Sequence, residues 1–206
     1  MKSMMRAKEP ALPKKKTPLG VWIAAAVVVL AAVLLLIPKK TQYAEITIRD
    51  YGRIVVVLDA ENAPITVKNF VGLVNRRFYD GLTIHRCLDG MILQGGDPMG
   101  DGTGGSGTDI KGEFSSNGVN NRHKHTRGTI SMARAAYSPD SASSQFFITV
   151  ADVPSWDGQY AAFGSVVEGM EVVDAVSRLG KQGDENGMLA KELQPVIESV
   201  RMIEKP

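Results

Sequence analysis

The feature that most limits what this chain can fold into is a recurrent alternation of short apolar runs with glycine- or serine-rich breaks. Met91–Leu93, Thr129–Met132, Phe146–Val150 and Ala161–Val167 are each no longer than seven residues. Runs of that length bounded by turn residues read as strands, because a helix needs ten or more residues to bury a face. Upstream, "AEITIRDYGRIVVVLD" places two β-branched runs around Asp-Tyr-Gly, a hairpin signal. "PVIESVRMIE" supplies a last strand near the carboxyl end. Only two stretches carry helical spacing. In "NAPITVKNFVGLVNRRF", Asn62 is placed to cap, Pro64 falls in the first turn, and Val67, Phe70, Val71 and Val74 follow i, i+3, i+4, i+7. The second runs from Met170 to Leu179. Many strands with two separated helices predict a closed barrel or sandwich capped by helices, since an uncovered strand edge invites aggregation.

The amino-terminal forty residues follow different rules. Leu19 to Ile37 is a stretch of 19 residues without a charge, and at about 1.5 Å per residue it nearly matches a hydrocarbon core of about 30 Å. It reads as a single transmembrane helix. Lys2, Arg6, Lys8, Lys14, Lys15 and Lys16 precede it against one acid, Glu9, and only Lys39 and Lys40 follow closely. Positive-inside bias then sets the amino terminus in the cytoplasm and the remainder outside. The run ends in Leu-Leu-Ile-Pro-Lys-Lys with no small-x-small cleavage site, which favours an uncleaved anchor over a signal peptide. The expected organisation is a basic cytoplasmic tail (1–18), a membrane span (19–37), a linker (38–43) and one globular domain (44–206).

Charge and cysteine content narrow the chemistry. The formal charge of +2 comes from the amino-terminal forty residues, so the domain has no excess of positive charge and lacks the broad basic surface that nucleic acid requires. Cys87 is the one cysteine, which excludes an intrachain disulfide and multi-cysteine metal sites. Between Arg86 and Leu88 it reads as a small core residue, the alternative being a thiol activated by the neighbouring arginine. "GTGGSG", Gly102 to Gly107, matches G-x-G-x-x-G in form but sits inside a glycine-rich run rather than between a strand and a helix, so it reads as a surface loop. His123 and His125 in "NRHKHTRG" could reach one metal, yet no third ligand is near and the local charge repels cations, so a solvated loop is expected and no metal. The serines around Ser138 to Ser144 form no G-x-S-x-G elbow.

The stretch "IHRCLDGMILQGGD" is more informative. It sets Arg86 and Gln94 among apolar residues before a Gly-Gly-Asp turn. On paired strands, even spacing lets Arg86 and Gln94 share a face with Ile92. In "SQFFITV", Gln145 and Phe147 alternate with Phe146, so one phenylalanine is expected in the core and the other on the same face as the glutamine. An aromatic, an arginine and glutamines on one concave face suit a mainly apolar ligand with one polar centre. On residue pattern alone, an ion pair with a distant carboxylate competes as the role of Arg86.

Taken together, "IHRCLDGMILQGGDPMGDGTGG", "RGTISMARA", "SSQFFIT" and "DGQYAAFGSVVEGMEVVD" resemble the cyclophilin family of peptidyl-prolyl cis/trans isomerases, over about Ala44 to Ile203. The resemblance implies a closed eight-stranded antiparallel β-barrel capped by two helices, and isomerisation of X-Pro bonds in polypeptides by a monomer without cofactor. It implies Arg86, Gln94 and Phe147 as catalytic residues, with Phe147 the floor of the proline pocket. Met91, Ile92, Ala133, Arg134, Gln145, Trp156 and Tyr160 are the implied substrate contacts. Met91 stands where phenylalanine is usual, Arg134 where asparagine is common, and Tyr160 where histidine is frequent. Ser155 occupies the position of a tryptophan in the best-known members, which implies weak cyclosporin binding. The alternative is a module that binds proline segments without accelerating rotation, kept open by Ser155 and Tyr160.

Overall fold

The computed structural model describes residues 41–206. Strands β1 (Gln42–Ile48), β2 (Gly52–Leu58), β3 (Thr83–Leu88), β4 (Ile92–Asp97), β5 (Thr129–Met132), β6 (Phe146–Thr149), β7 (Ala161–Glu168) and β8 (Ile197–Ile203) form one antiparallel sheet in the order β3-β4-β6-β5-β7-β2-β1-β8. Helices α1 (Pro64–Asn75) and α2 (Met170–Ser177) complete the fold. The β1–β2 hairpin turns where the sequence predicts: Ile48 pairs with Gly52, and Asp50 and Gly52 take positive φ. Such angles suit Asp tolerably and Gly well.

The expected closed barrel is a half-barrel whose edge strands, β3 and β8, meet without a ladder. They are joined by one isolated bridge, Thr83 to Val196, and by the Ile84 N–H to Pro195 O (2.9 Å) and Ile197 N–H to Leu82 O (2.7 Å) bonds. Pro195 accepts at this seam but has no N–H to return, so pairing cannot extend through it. A side-chain clamp reinforces the seam: Arg201 on β8 donates to both carboxylate oxygens of Asp80, each at 2.7 Å. The Arg201 bonds hold the Asp80 carboxyl below the usual aspartate range. A depressed folded-state pKa means the stabilisation is complete above the unfolded value and lost as pH falls through the folded one. Asp80→Asn should therefore lower the thermal midpoint by about 2 °C at neutral pH. The gap to the parent should narrow below about pH 4, as read by melting curves across pH.

Inside the curved sheet the core centres on Phe70 of α1, whose ring meets Phe146 edge-on at 6.1 Å and packs against Tyr79 and Phe163 at 5.4 and 5.2 Å. The helix buries Thr66, Val67, Phe70, Leu73 and Val74, so Val71, expected inside, is partly exposed and Leu73 takes its share. Asn62 does not cap it. The N-cap is Ala63, with no side-chain bond, while Asn62 donates to Asp59. The cap comes from far along the chain. The buried Glu113 carboxylate accepts the Ile65 N–H (3.0 Å), the Thr66 N–H (2.7 Å) and the Thr66 hydroxyl (2.7 Å). α2 ends at Ser177 and continues as a 3-10 turn over Arg178–Gln182, with Val172, Val173 and Val176 facing inward. Among the described residues no helix is long and apolar enough to cross a membrane; the expected span, 19–37, lies outside them.

Candidate functional site

Strand register builds the site. Arg86 on β3 lies opposite Gln94 on β4, Gln94 opposite Phe147 on β6, and Phe147 opposite Ser131 on β5. Directly opposed residues project to one face, so these four form a row across four strands. Alternation along β4 sends Leu93 into the core and Ile92 to the face of Gln94. On β6, Phe146 enters the core and Phe147 the opposite face, as the alternation of "SQFFITV" predicts.

A cleft of about 180 Å³ opens on this face, lined by Arg86, Ile92, Gln94, Ala133, Arg134, Phe147, Trp156 and Tyr160. All eight are among the residues singled out from sequence. Two others stand apart. Met91 precedes β4 in a turn, 39% exposed and outside the lining. Gln145 stands one shell back and faces an adjoining cavity of about 350 Å³, which shares Gln94, Ala133 and Arg134 with the cleft and is bordered by the glycine-rich loop.

The geometry around Arg86 bears on the ion-pair reading. Among the described residues its guanidinium pairs with no carboxylate: Nη1 donates to Gln94 Oε1 at 3.0 Å and Nε to the Asn186 carbonyl at 2.7 Å. Gln94 Nε2 donates in turn to Gln145 Oε1 (2.9 Å), and Gln145 Nε2 donates to the carbonyls of Gly102 (3.0 Å) and Gly104 (2.8 Å). This run of amides fixes the guanidinium with neutral acceptors. The glycine-rich loop is thus a brace for the site. Asp97 shapes it by accepting the N–H groups of Met99, Asp101 and Gly102.

The far wall is aromatic. Trp156, at the end of the 3-10 turn Pro154–Trp156, and Tyr160 meet the Phe147 ring edge-on at 5.2 and 5.6 Å. Arg134 folds back over the Tyr160 ring (5.1 Å) and the Phe114 ring (5.4 Å), with Nε donating to the Gln159 carbonyl. Ser155 is exposed beside Trp156. The Cys87 thiol, buried opposite this face, is pushed up to about 12 by burial and is a core residue rather than a reactive one.

The sequence profile described as cyclophilin type peptidyl-prolyl cis-trans isomerase matches residues 43–201. The chain belongs to that family. This cyclophilin is 44% identical over 147 residues to a peptidyl-prolyl cis-trans isomerase of Helicobacter pylori, covering 70% of this chain and 83% of the relative. It is 41% identical over 155 residues to peptidyl-prolyl cis-trans isomerase B of Bacillus subtilis, covering 75% and 97%. Among solved structures, a Cryptosporidium parvum cyclophilin-type isomerase crystallised in the presence of the dipeptide Ala-Pro superposes with a TM-score of 0.70 at 28% identity, covering 80% of this chain and all of that one. The protein is thus a cyclophilin-type peptidyl-prolyl cis-trans isomerase.

The histidine loop of this cyclophilin is not the solvated segment its charge suggests. His125 is 2% exposed and bonded to Asp157 and Ser131, while His123 bridges Asp59 (2.9 Å) and Ser165 (3.0 Å). The two rings serve separate hydrogen-bond networks. Burial alternates along the segment, with Arg122 and Lys124 exposed, His123 half-buried and His125 buried.

Proposed function

We propose that Arg86, Gln94 and Phe147 carry the isomerase reaction, with the prolyl ring seated on Phe147 between Ile92 and Trp156. The carrying observation is a guanidinium held by two neutral oxygens, with no acid paired to it among the described residues, in a cleft it shares with Ile92, Phe147 and Trp156. An X-Pro bond resists rotation by about 18–20 kcal/mol because the nitrogen lone pair is delocalised into the carbonyl. As the bond twists, the lone pair localises on nitrogen and becomes a better acceptor. A guanidinium donating to that nitrogen binds the twisted state more strongly than either planar one, which is what lowers a barrier. Gln94 aims the guanidinium, and the backbone near Ala133 and Arg134 holds the flanking peptide. Only rotation occurs, so the chain's own side chains need supply no nucleophile. The presence of Ala-Pro with the Cryptosporidium parvum relative supports an X-Pro ligand here. A proline-peptide isomerisation assay comparing the chain with Arg86→Ala tests the assignment, and equal rates would remove it.

The same reading extends to place: a monomer tethered by residues 19–37, with the amino terminus cytoplasmic and the isomerase domain outside, assisting the folding of exported polypeptides. The 19-residue uncharged run and its one-sided basic flank support this. Protease added to intact cells should digest the domain, and a domain protected until the membrane is opened would reverse the orientation.

A further inference from the structure

The floor of the cleft is itself held from behind. His125 does not line the cleft, whereas Phe147, Trp156 and Tyr160 do. Yet its imidazole lies against Phe147, with centroids 6.0 Å apart and planes 17° from parallel. Trp156 and Tyr160 meet Phe147 at 80° and 90°, so among the described residues His125 is the one ring stacked on it. The imidazole is fixed at both nitrogens, by Asp157 Oδ1 at Nδ1 (3.3 Å) and Ser131 Oγ at Nε2 (3.1 Å). Its backbone is fixed as well: the N–H donates to Asp157 Oδ1 (2.8 Å) and the carbonyl accepts from Val153 (2.7 Å). Ser131 is the cross-strand neighbour of Phe147, and Asp157 follows Trp156. One buried side chain therefore ties β5, the turn bearing Trp156, and the ring beneath the substrate. Burial draws the His125 pKa down against the pull of Asp157, which keeps the ring neutral and suited to stacking.

We propose that His125 is a positioning residue of the isomerase, whose ring sets the orientation of Phe147 and so of the surface that seats the prolyl ring. This rests on the cleft being the isomerase site. A simpler role would be to brace the loop through Asp157 and Ser131, with the stack incidental, and two substitutions separate the roles. His125→Phe keeps a flat ring against Phe147 and discards both polar anchors. His125→Gln keeps polar reach and discards the flat face.

A stacked pair shifts an equilibrium by roughly three- to tenfold. In the full-length protein, at a temperature where circular dichroism shows every variant folded, His125→Gln should lower kcat/KM by roughly three- to tenfold. His125→Phe should stay within about twofold of the parent while melting at a lower temperature than His125→Gln, because two buried partners are left unpaired. A bracing role alone does not produce that inversion of activity against stability. The proposal is overturned if His125→Phe loses as much activity as His125→Gln, or if His125→Gln stays within about twofold of the parent. Should the parent show no rate above the uncatalysed one, the isomerase assignment of the cleft falls separately. The stack is then decided by Overhauser contacts between the Phe147 and Trp156 rings: kept in His125→Phe and weakened in His125→Gln supports it, and any other pattern overturns it.

Discussion

Arg86→Ala should reduce kcat/KM for a proline peptide by roughly ten- to a hundredfold while leaving KM nearly unchanged. The magnitude follows from the bond at stake. A hydrogen bond from a charged donor contributes about 1.5–3 kcal/mol net, and each 1.4 kcal/mol is a factor of ten. The split follows from timing, since an interaction made only with the twisted amide lowers kcat without altering ground-state binding. Arg86→Lys should fall between, because an ammonium keeps the charge but lacks the planar fork of donors that meets Gln94 and the Asn186 carbonyl from separate nitrogens. The substitution is at a partly exposed edge-strand position, so melting should change little. Peptide isomerisation followed over a range of substrate concentrations reads both parameters. A variant whose KM rises while kcat holds would recast Arg86 as a substrate anchor.

The largest effect on stability belongs to Glu113. Its carboxylate satisfies two N–H groups at the start of α1 and the buried Thr66 hydroxyl, and it is 2% exposed. Glu113→Ala should lose about 2–4 kcal/mol, combining a missing helix cap with hydrogen bonds to a charged acceptor. For a domain of this size that corresponds to a fall in melting temperature of roughly 6–12 °C. Glu113→Gln keeps one acceptor oxygen and should lose about half as much. Urea titration checks both, with the midpoint moving at constant slope. The loss should reach the cleft as well, because the next residue, Phe114, carries the Arg134 guanidinium on its ring. A melting temperature unchanged in Glu113→Ala would mean that water caps α1 as well as the carboxylate does.

Glu113 also shows where sequence reading stopped. Local features were legible: the turn at Asp50–Gly52, the split between Phe146 and Phe147, and the shared face of Ile92 and Gln94 are dictated within a few residues by φ preferences and strand alternation. The sequence offers Asn62 as a local helix cap, while the acceptor that caps α1, Glu113, lies 47 and 48 residues away. His125 was hidden for the same reason. Its partner Asp157 is 32 residues distant, and a basic neighbourhood disguised a buried ring. Pairing at the seam between β3 and β8 depends on how far the sheet curls, which no single strand encodes. The resemblance supplied Trp156 and Tyr160, whose part in the cleft is set by a turn and not by strand periodicity.

The row that joins Arg86, Gln94, Phe147 and Ser131 makes chemistry hostage to alignment. Were β6 to slip by a single residue against its neighbours, Phe147 would rotate into the interior and Phe146 would emerge in its place, with the main-chain ladder otherwise intact. Such a molecule would keep its strands and lose the Phe147 ring that lines the cleft. An enzyme that helps other chains past a slow step in folding thus depends, for its own competence, on getting a handful of strand offsets right the first time.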